Sequence, residues 1–473
     1  MLLNKTKTKL ICTIGPSSNH PDIIRTMIKN GMNVVRLNFS HGTHESHKET
    51  INLVRSVAKE LNVHISILQD LCGPKIRLGK LPDEGITLTV GDTISLASSS
   101  LNLQDAIPVD YPDLHSEVMP GERILLADGM MELIVTEVKD KKVYCDVLTG
   151  GVAFTRKGVN MPQSDLHINA FSEKDRQDLM LGLEQGVDYV ALSFVRSTND
   201  LKEIKEILDS HPNSPSLIAK IEKPQAIENI DDILQNVDGV MVARGDLGVE
   251  IPLEEVPYYQ KLIIDKARLA GRFTITATQM LISMVKSPRP TRSEVSDVAN
   301  AVIDGTDALM LSDETANGAF PSIAVAMLAN IAKSSEDHVE YIPDLDSSKF
   351  KDSRSFTLAI GRAACWLAKD IEAKAIITYS STGFTPYCIS RFRPSCSILV
   401  LTSNDKVCSS IGLIWGSQAI KTDIVEDIDS LIELAKQKAI EANLAQVGDN
   451  IIVTGGMPIG DKGTTSFLRL IQI

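Results

Sequence analysis

Eight short apolar runs punctuate the chain: "KLICTIG", "NVVRLNFS", "ISILQDL", "YVALSFV", "SLIAKIE", "GVMVARGD", "FTITATQM" and "ALMLSDET". Amphipathic segments separate them. In "STNDLKEIKEILDSH", Thr198 or Asn199 caps a helix whose apolar stripe is Leu201, Ile204, Ile207 and Leu208, and "FSEKDRQDLMLGLEQG" opens at Ser172 and stops at Gly186. Runs that are apolar at every position have both faces buried, as in a parallel sheet covered by helices. Eight strand–helix units of this kind predict a closed α/β barrel, a TIM barrel.

The third unit is interrupted. Its strand ends near Leu71, and the alternation then turns to "GITLTVGDTISLA", "ERILLADGMMELIVTEV" and "KKVYCDVLTGG", the pattern of a small β-domain set into one barrel loop. After the polar "IPDLDSSKFKDS", a second α/β pattern carries the strands "AIITYS", "SILVLT", "QAIKT", "NIIVTGG" and "SFLRLIQI", an open, largely parallel sheet. The expected division is a discontinuous barrel from 1–70 and 168–338, an inserted β lid from 71–167, and a C-terminal α/β regulatory domain from 339–473.

Composition narrows the class. The 473 residues are 43% hydrophobic and 23% charged, with no apolar run long enough to span a bilayer and no leader-like start, so a cytoplasmic location is expected. The seven cysteines are scattered, odd in number and form no C-x-x-C pair, so neither a zinc site nor a disulfide framework is indicated. A formal charge of −13 argues against nucleic acid as a partner. An anionic small substrate would need cations placed locally.

In such a barrel the chemistry gathers at the C-terminal strand ends. Those ends supply Arg36, Asn38 and Ser40 on strand two, Asp70 on three, Lys220 and Glu222 on five, Arg244 and Asp246 on six, Thr278 on seven, and Ser312 and Glu314 on eight. Lys220 and Glu222 are two apart and share a strand face. Glu222 and Asp246, on adjacent strands, form a pair suited to one hard cation, Mg2+ or Mn2+, completed by substrate oxygens. The competing reading is that the two carboxylates simply pair with Lys220 and Arg244. Gly245 permits close approach of backbone amides to an anion, and "GDLG" opening onto "VEIPLEEV" adds a following helix start. Arg36 and Lys220 are the cations for a phosphate. Together these suggest phosphoryl transfer or enolate chemistry. "GGMPIGDKG" approaches a P-loop in spacing, but Asp461 stands where the lysine belongs.

The motifs "TIGPSS", "VVRLNFSHG", "QDLCGPKIR", "KGVNMP", "LIAKIE", "MVARGDLGVEIP", "ATQML" and "PRPTRSEVSDVANAVIDGTDALMLSDETANG" make the chain resemble pyruvate kinases over essentially its full length. The resemblance implies transfer of phosphate from phosphoenolpyruvate to ADP, giving pyruvate and ATP, in a homotetramer. It implies that Lys220 neutralises charge on the phosphoryl group and enolate, that Arg36 grips the phosphate, and that Glu222 and Asp246 hold the metal. The substrate carboxylate would meet Gly245, Asp246 and Thr278, with Thr278 near the path of the proton. Asn38, His41, Arg77 and Lys157 match nucleotide-contacting positions, the last two in a domain that would close as a lid.

A monovalent-cation site would use Asn38, Ser40, Asp70 and Leu71. Lys75 stands where potassium-dependent members carry glutamate, which resembles the bacterial-type subgroup with lysine there and implies that potassium is not required. Ile282 and Asp313 also depart from the commonest family pattern, which puts packing around the site in question more than activity. "TYSSTGFTP" offers Ser380, Ser381, Thr382, Gly383 and Thr385 as an effector cradle, for which a sugar monophosphate or AMP is expected. Two other readings compete. A magnesium-dependent pyruvate aldolase would leave the nucleotide positions unexplained, and a phosphometabolite sensor on a dead scaffold would lack one of Lys220, Glu222, Asp246 or Thr278. All four are present.

Overall fold

The computed structural model describes residues 6–164, 166–339, 355–457, 459 and 465–473. The polar 342–353 segment and most of "GGMPIGDKG" lie outside them. Eight parallel strands close into a barrel: β1 (Lys9–Thr13), β2 (Val34–Asn38), β3 (Ser66–Asp70), β4 (Tyr189–Leu192), β5 (Ser216–Ile221), β6 (Gly239–Ala243), β7 (Phe273–Ala277) and β8 (Ala308–Leu311). β1 pairs with both β2 and β8, which completes the ring. Six of these strands are buried at every residue, and β5 is exposed in part only at Ser216. The other exception is β2, half-buried at Asn38, the end that faces the site. Capping chemistry marks some helix starts and corrects one: the segment expected to be capped by Thr198 or Asn199 is capped by Ser197, ahead of the 3-10 turn Thr198–Leu201 and the helix Lys202–Ser210. Ser172 forms a capping box with Asp175 ahead of Glu173–Gln185, and Gly186 ends that helix in the left-handed conformation.

The chain leaves the barrel after β3 and builds a separate β-domain with its own core, including Leu78, Leu96, Val109, Leu126, Leu133 and Val143. Six strands form one sheet and two more, Ile86–Leu88 and Gly151–Ala153, form a ribbon. The exit is a tight one. Gly73 has φ +66°, and a Cβ there would lie 2.9 Å from the side chains of Ser193 and Phe194. Only glycine satisfies both conditions.

The C-terminal sheet orders its strands Ser417–Lys421, Ser397–Thr402, Ala375–Tyr379, Asn450–Gly455 and Phe467–Gln472, parallel except for the last. This domain seats against the N-terminal mouth of the barrel. Tyr189 Oη donates to Ser410 O (2.5 Å) and accepts from Leu413 N–H (3.1 Å), Leu413 joins the barrel's inner apolar cluster, and Arg393 pairs with Asp307 (2.7 Å). With that mouth plugged, the barrel's C-terminal mouth is the end left for chemistry.

Candidate active site at the barrel mouth

Lys220, the penultimate residue of β5, is in a solvent-poor position, and its Nζ lies 2.8 Å from Glu222 Oε1, 3.4 Å from Asp70 Oδ1 and 2.7 Å from Ser193 Oγ. Burial alone pulls an ammonium pKa down, but Asp70, Glu222 and Asp246 outweigh it and hold Lys220 above the ordinary lysine value. The group is a permanent cation at neutral pH. Asp70 is equally buried, yet Lys220 and Arg36 hold its carboxyl below the usual range, with Arg36 Nε 2.7 Å away. Arg36 is steadied on its other side by Thr13 Oγ1 at 3.0 Å.

Burial raises the pKa of Glu222, opposed by Lys220 and reinforced by Asp246. Its Oε2 accepts from Phe194 N–H (2.7 Å), whereas Oε1 receives no well-directed hydrogen bond despite its buried position. An anionic oxygen left with acceptor capacity, within electrostatic reach of Asp246 in the helix turn that follows the next strand, fits a hard divalent cation. Among the described residues no group of three or more His, Cys, Asp and Glu is arranged to hold a metal, so protein donors alone would leave such an ion incompletely coordinated. The pairing of Glu222 with Lys220 is therefore real. That of Asp246 with Arg244 is not: Arg244 pairs with Asp297 (2.7 Å), and Asp246 instead lies 4.0 Å from the ammonium of Lys75.

Thr278 follows β7 at φ +73°, a conformation that a β-branched residue rarely adopts. Its hydroxyl donates to Ala277 O (2.6 Å) and accepts from Gly245 N–H (2.7 Å), while Arg244 donates to Thr278 O (2.8 Å). Gly245 and Thr278, both expected to face a substrate carboxylate, are thus brought together and bond each other. A Cβ on Gly245 would come within 3.3 Å of Thr278 Oγ1, a tight contact. The helix expected after "GDLG" begins earlier: it spans Arg244–Glu250, with Asp246 in its first turn. Two glycines hide this short helix from propensity.

The remaining positions divide between the two sides of the mouth. Asn38 accepts Ser40 N–H on its Oδ1 (3.1 Å), and His41 is exposed on the barrel side. Arg77 and Lys157 neighbour each other on the inserted domain, where Arg77 bonds Arg156 O (3.0 Å) and Leu78 N–H bonds Lys157 O (2.8 Å). Leu71 O is taken by Ser193 Oγ (2.8 Å). Glu314 is a core carboxylate that accepts Leu281 N–H (3.0 Å) and Ser312 N–H (2.8 Å), which removes it and Ser312 from the reactive ring. Ile282 is exposed in a short 3-10 turn, and Asp313 opens Asp313–Ala316 and bonds Asn317 (2.9 Å); neither touches the cluster around Lys220 through any hydrogen bond or ion pair found among the described residues. Three contributors were overlooked in the sequence: Thr13, Ser193 and Phe194. Ser193 sits just past the end of β4, so the same strand-end reading applied to the fourth strand finds it.

In the C-terminal domain, Gly383 adopts φ +82° at the start of Phe384–Ser390. Its N–H donates to Ser380 Oγ (3.0 Å), Phe384 N–H to Thr382 Oγ1 (3.4 Å), and Thr385 Oγ1 meets Thr465 Oγ1 (2.8 Å). The turn satisfies these groups internally; Ser381 is half-buried beside it.

Comparison with known proteins agrees with this geometry. The chain matches the pyruvate kinase barrel domain over residues 5–325 and the pyruvate kinase alpha/beta domain over residues 358–471. The chain belongs to the pyruvate kinase family. It is 43% identical to a pyruvate kinase of Clostridium perfringens over 99% of this chain and 100% of that one. It is 42% identical to a pyruvate kinase of Geobacillus stearothermophilus over 98% of this chain and 80% of that one. A crystal structure of a Cryptosporidium parvum pyruvate kinase superposes with TM-score 0.93 at 36% identity, covering 99% of this chain and 96% of the other. The barrel, inserted β-domain and open α/β domain expected from sequence are those of this pyruvate kinase family member.

Proposed function

We infer that this chain is a magnesium-dependent pyruvate kinase that moves the phosphoryl group of phosphoenolpyruvate to ADP and yields pyruvate and ATP, the final step of glycolysis. The observation that carries the reading is Lys220. It is a buried, permanently charged ammonium set between Asp70, Glu222 and Ser193, where charge spread over a transferring phosphoryl group and an enolate oxygen would be met by a fixed cation.

Arg36, held by Asp70 and Thr13, presents its guanidinium to the same phosphate. Glu222 and Asp246 would hold Mg2+, with Mn2+ the alternative, and the ion would neutralise phosphate charge as a Lewis acid. Gly245 N–H and the Thr278 hydroxyl would exchange their mutual bond for the substrate carboxylate, which leaves Thr278 beside the carbon that takes the proton. Asn38 and His41 on the barrel, with Arg77 and Lys157 on the inserted domain, would bind the nucleotide. Closure of residues 71–167 over the barrel of 1–70 and 168–338 would exclude water and prevent wasteful hydrolysis.

Potassium is not required in this reading. Of the four donors for a monovalent ion, Asp70 is engaged by Arg36 and Lys220, Leu71 O by Ser193, and Asn38 Oδ1 by Ser40 N–H. Lys75, as in the bacterial-type subgroup, supplies the charge. The domain of 339–473 would carry a regulatory cradle for a sugar monophosphate or AMP at Ser380, Ser381, Thr382, Gly383 and Thr385, which requires the local bonds of Gly383 and Phe384 to open. A cytoplasmic homotetramer is the proposed working form. No helix among the described residues is long and apolar enough to cross a membrane. The test is pyruvate formation, read through a lactate dehydrogenase couple, from phosphoenolpyruvate, ADP and magnesium. No pyruvate above the rate without ADP would contradict the reading.

A further inference from the structure

Glu250 closes the helix that carries Asp246, four residues earlier and therefore on the same helical face. Its side chain is buried, and a single oxygen, Oε1, accepts both Asn160 Nδ2 (2.7 Å) and Lys223 Nζ (2.7 Å). Asn160 ends Val159–Asn160, the strand on which the chain leaves the inserted domain, paired there with Arg123–Leu126. Lys223 directly follows Glu222. One carboxylate oxygen thus ties the inserted domain to both chain segments that present the divalent-ion carboxylates.

Two further observations point the same way. Glu250 Oε2 is buried without a hydrogen-bond partner, a cost that a carboxylate kept only for an ion pair would avoid by sharing its donors between both oxygens. The same segment also passes close to the second link between these bodies. A Cβ on Gly158 would lie 3.3 Å from both Lys75 Cε and Asp128 Oδ1, and 3.9 Å from Asn160 Oδ1. Lys75 in turn lies 3.6 Å from Asp128 of the inserted domain and 4.0 Å from Asp246. The Arg244–Glu250 helix is therefore contacted near its start through Asp246 by Lys75 and at its end through Glu250 by Asn160, both on the inserted segment.

We propose that Glu250 is a positioning residue which, through Asn160 and Lys223, couples the placement of the inserted domain to the spacing of Glu222 and Asp246. The proposal rests on the assignment of those two carboxylates to the divalent ion. Partners behind metal ligands commonly set affinity by orienting them, and loss of one lowers metal affinity by about tenfold or more. Asn160→Ala removes the inserted-domain side of the link and leaves the Lys223–Glu250 pair intact, so it disturbs no charge.

The test is Mn2+ binding to the full chain, titrated by electron paramagnetic resonance without turnover, for the parent, Asn160→Ala, Glu250→Gln, the double variant and Glu222→Gln. Thermal melts of each accompany it. Asn160→Ala is expected to weaken Mn2+ binding about tenfold while keeping a cooperative melt. The double variant is expected to be no weaker than the worse single variant, because both changes break one link. Parent-like Mn2+ binding by Asn160→Ala, with Glu222→Gln weakened, overturns the coupling and leaves the metal assignment standing; so do single effects that multiply in the double variant. Parent-like binding by Glu222→Gln overturns the metal assignment itself. If Glu250→Gln fails to fold, Asn160→Ala alone decides.

Discussion

Thr278 concentrates the conflict between stability and chemistry at the scale of one residue. Its φ of +73° is held by Arg244 on its carbonyl and by Gly245 on its hydroxyl, so the surrounding bonds pay for a conformation that the side chain opposes. Thr278→Ala and Thr278→Gly both remove the hydroxyl, and only the second relieves the backbone. The glycine variant is expected to be more stable than the alanine variant by about 1 kcal/mol, read from denaturant midpoints, with both variants impaired in catalysis. An alanine variant that is equally or more stable would show that no strain is stored there. The residue types of the site were legible in the sequence because barrel chemistry lies at strand ends; the strain was not, since nothing in "ATQML" reports a dihedral angle. The task of Arg244 was also hidden: as a charge beside Asp246 it reads as that residue's partner, and only the fold brings Asp297 to it.

At the scale of elements, continuous apolar runs declared the eight barrel strands, because strands covered on both faces have no polar alternation to blur them. The helix Arg244–Glu250 was obscured by its glycines and is sustained by packing against its neighbours rather than by propensity. Lys9 makes a similar point. A lysine that opens a strand reads as solvent-facing, yet docking of the C-terminal sheet buries it, with Nζ donating to Ser417 O. Burial, opposed only by Glu336, lowers its pKa from 10.5 to about 7. The unfolded chain therefore binds the proton more readily between those values, and stability present above pH 10.5 is lost as the pH falls towards 7. Lys9→Met removes that loss. The melting temperature of the variant relative to the parent is expected to be higher at pH 7 than at pH 10, and a difference independent of pH would contradict the account.

The whole molecule places one domain against each mouth of the barrel. The C-terminal domain plugs the lower mouth through Tyr189, Leu413 and Arg393, while the inserted domain reaches the upper mouth through Lys75, Asp128 and Asn160. The three-part architecture was legible from changes in hydrophobic period; these contacts were not, because they join residues far apart in the chain. Lys75 illustrates the consequence. Its ammonium bridges Asp246 and the inserted domain, so the parent is expected to be fully active without potassium, and Lys75→Glu is expected to lose most of its rate until potassium is added at constant ionic strength. A parent nearly silent without potassium, or a potassium-insensitive Lys75→Glu, would refute one half of that argument each. The central claim is that a fixed cation at Lys220 stabilises the transferring phosphoryl group, and its most direct measurement is the rate of ATP formation by Lys220→Met at saturating phosphoenolpyruvate, ADP and magnesium. The account predicts a loss of about a thousandfold or more in a protein that still melts cooperatively, at a temperature lowered by the loss of the cation beside Glu222. A folded Lys220→Met variant within about tenfold of the parent rate would contradict it.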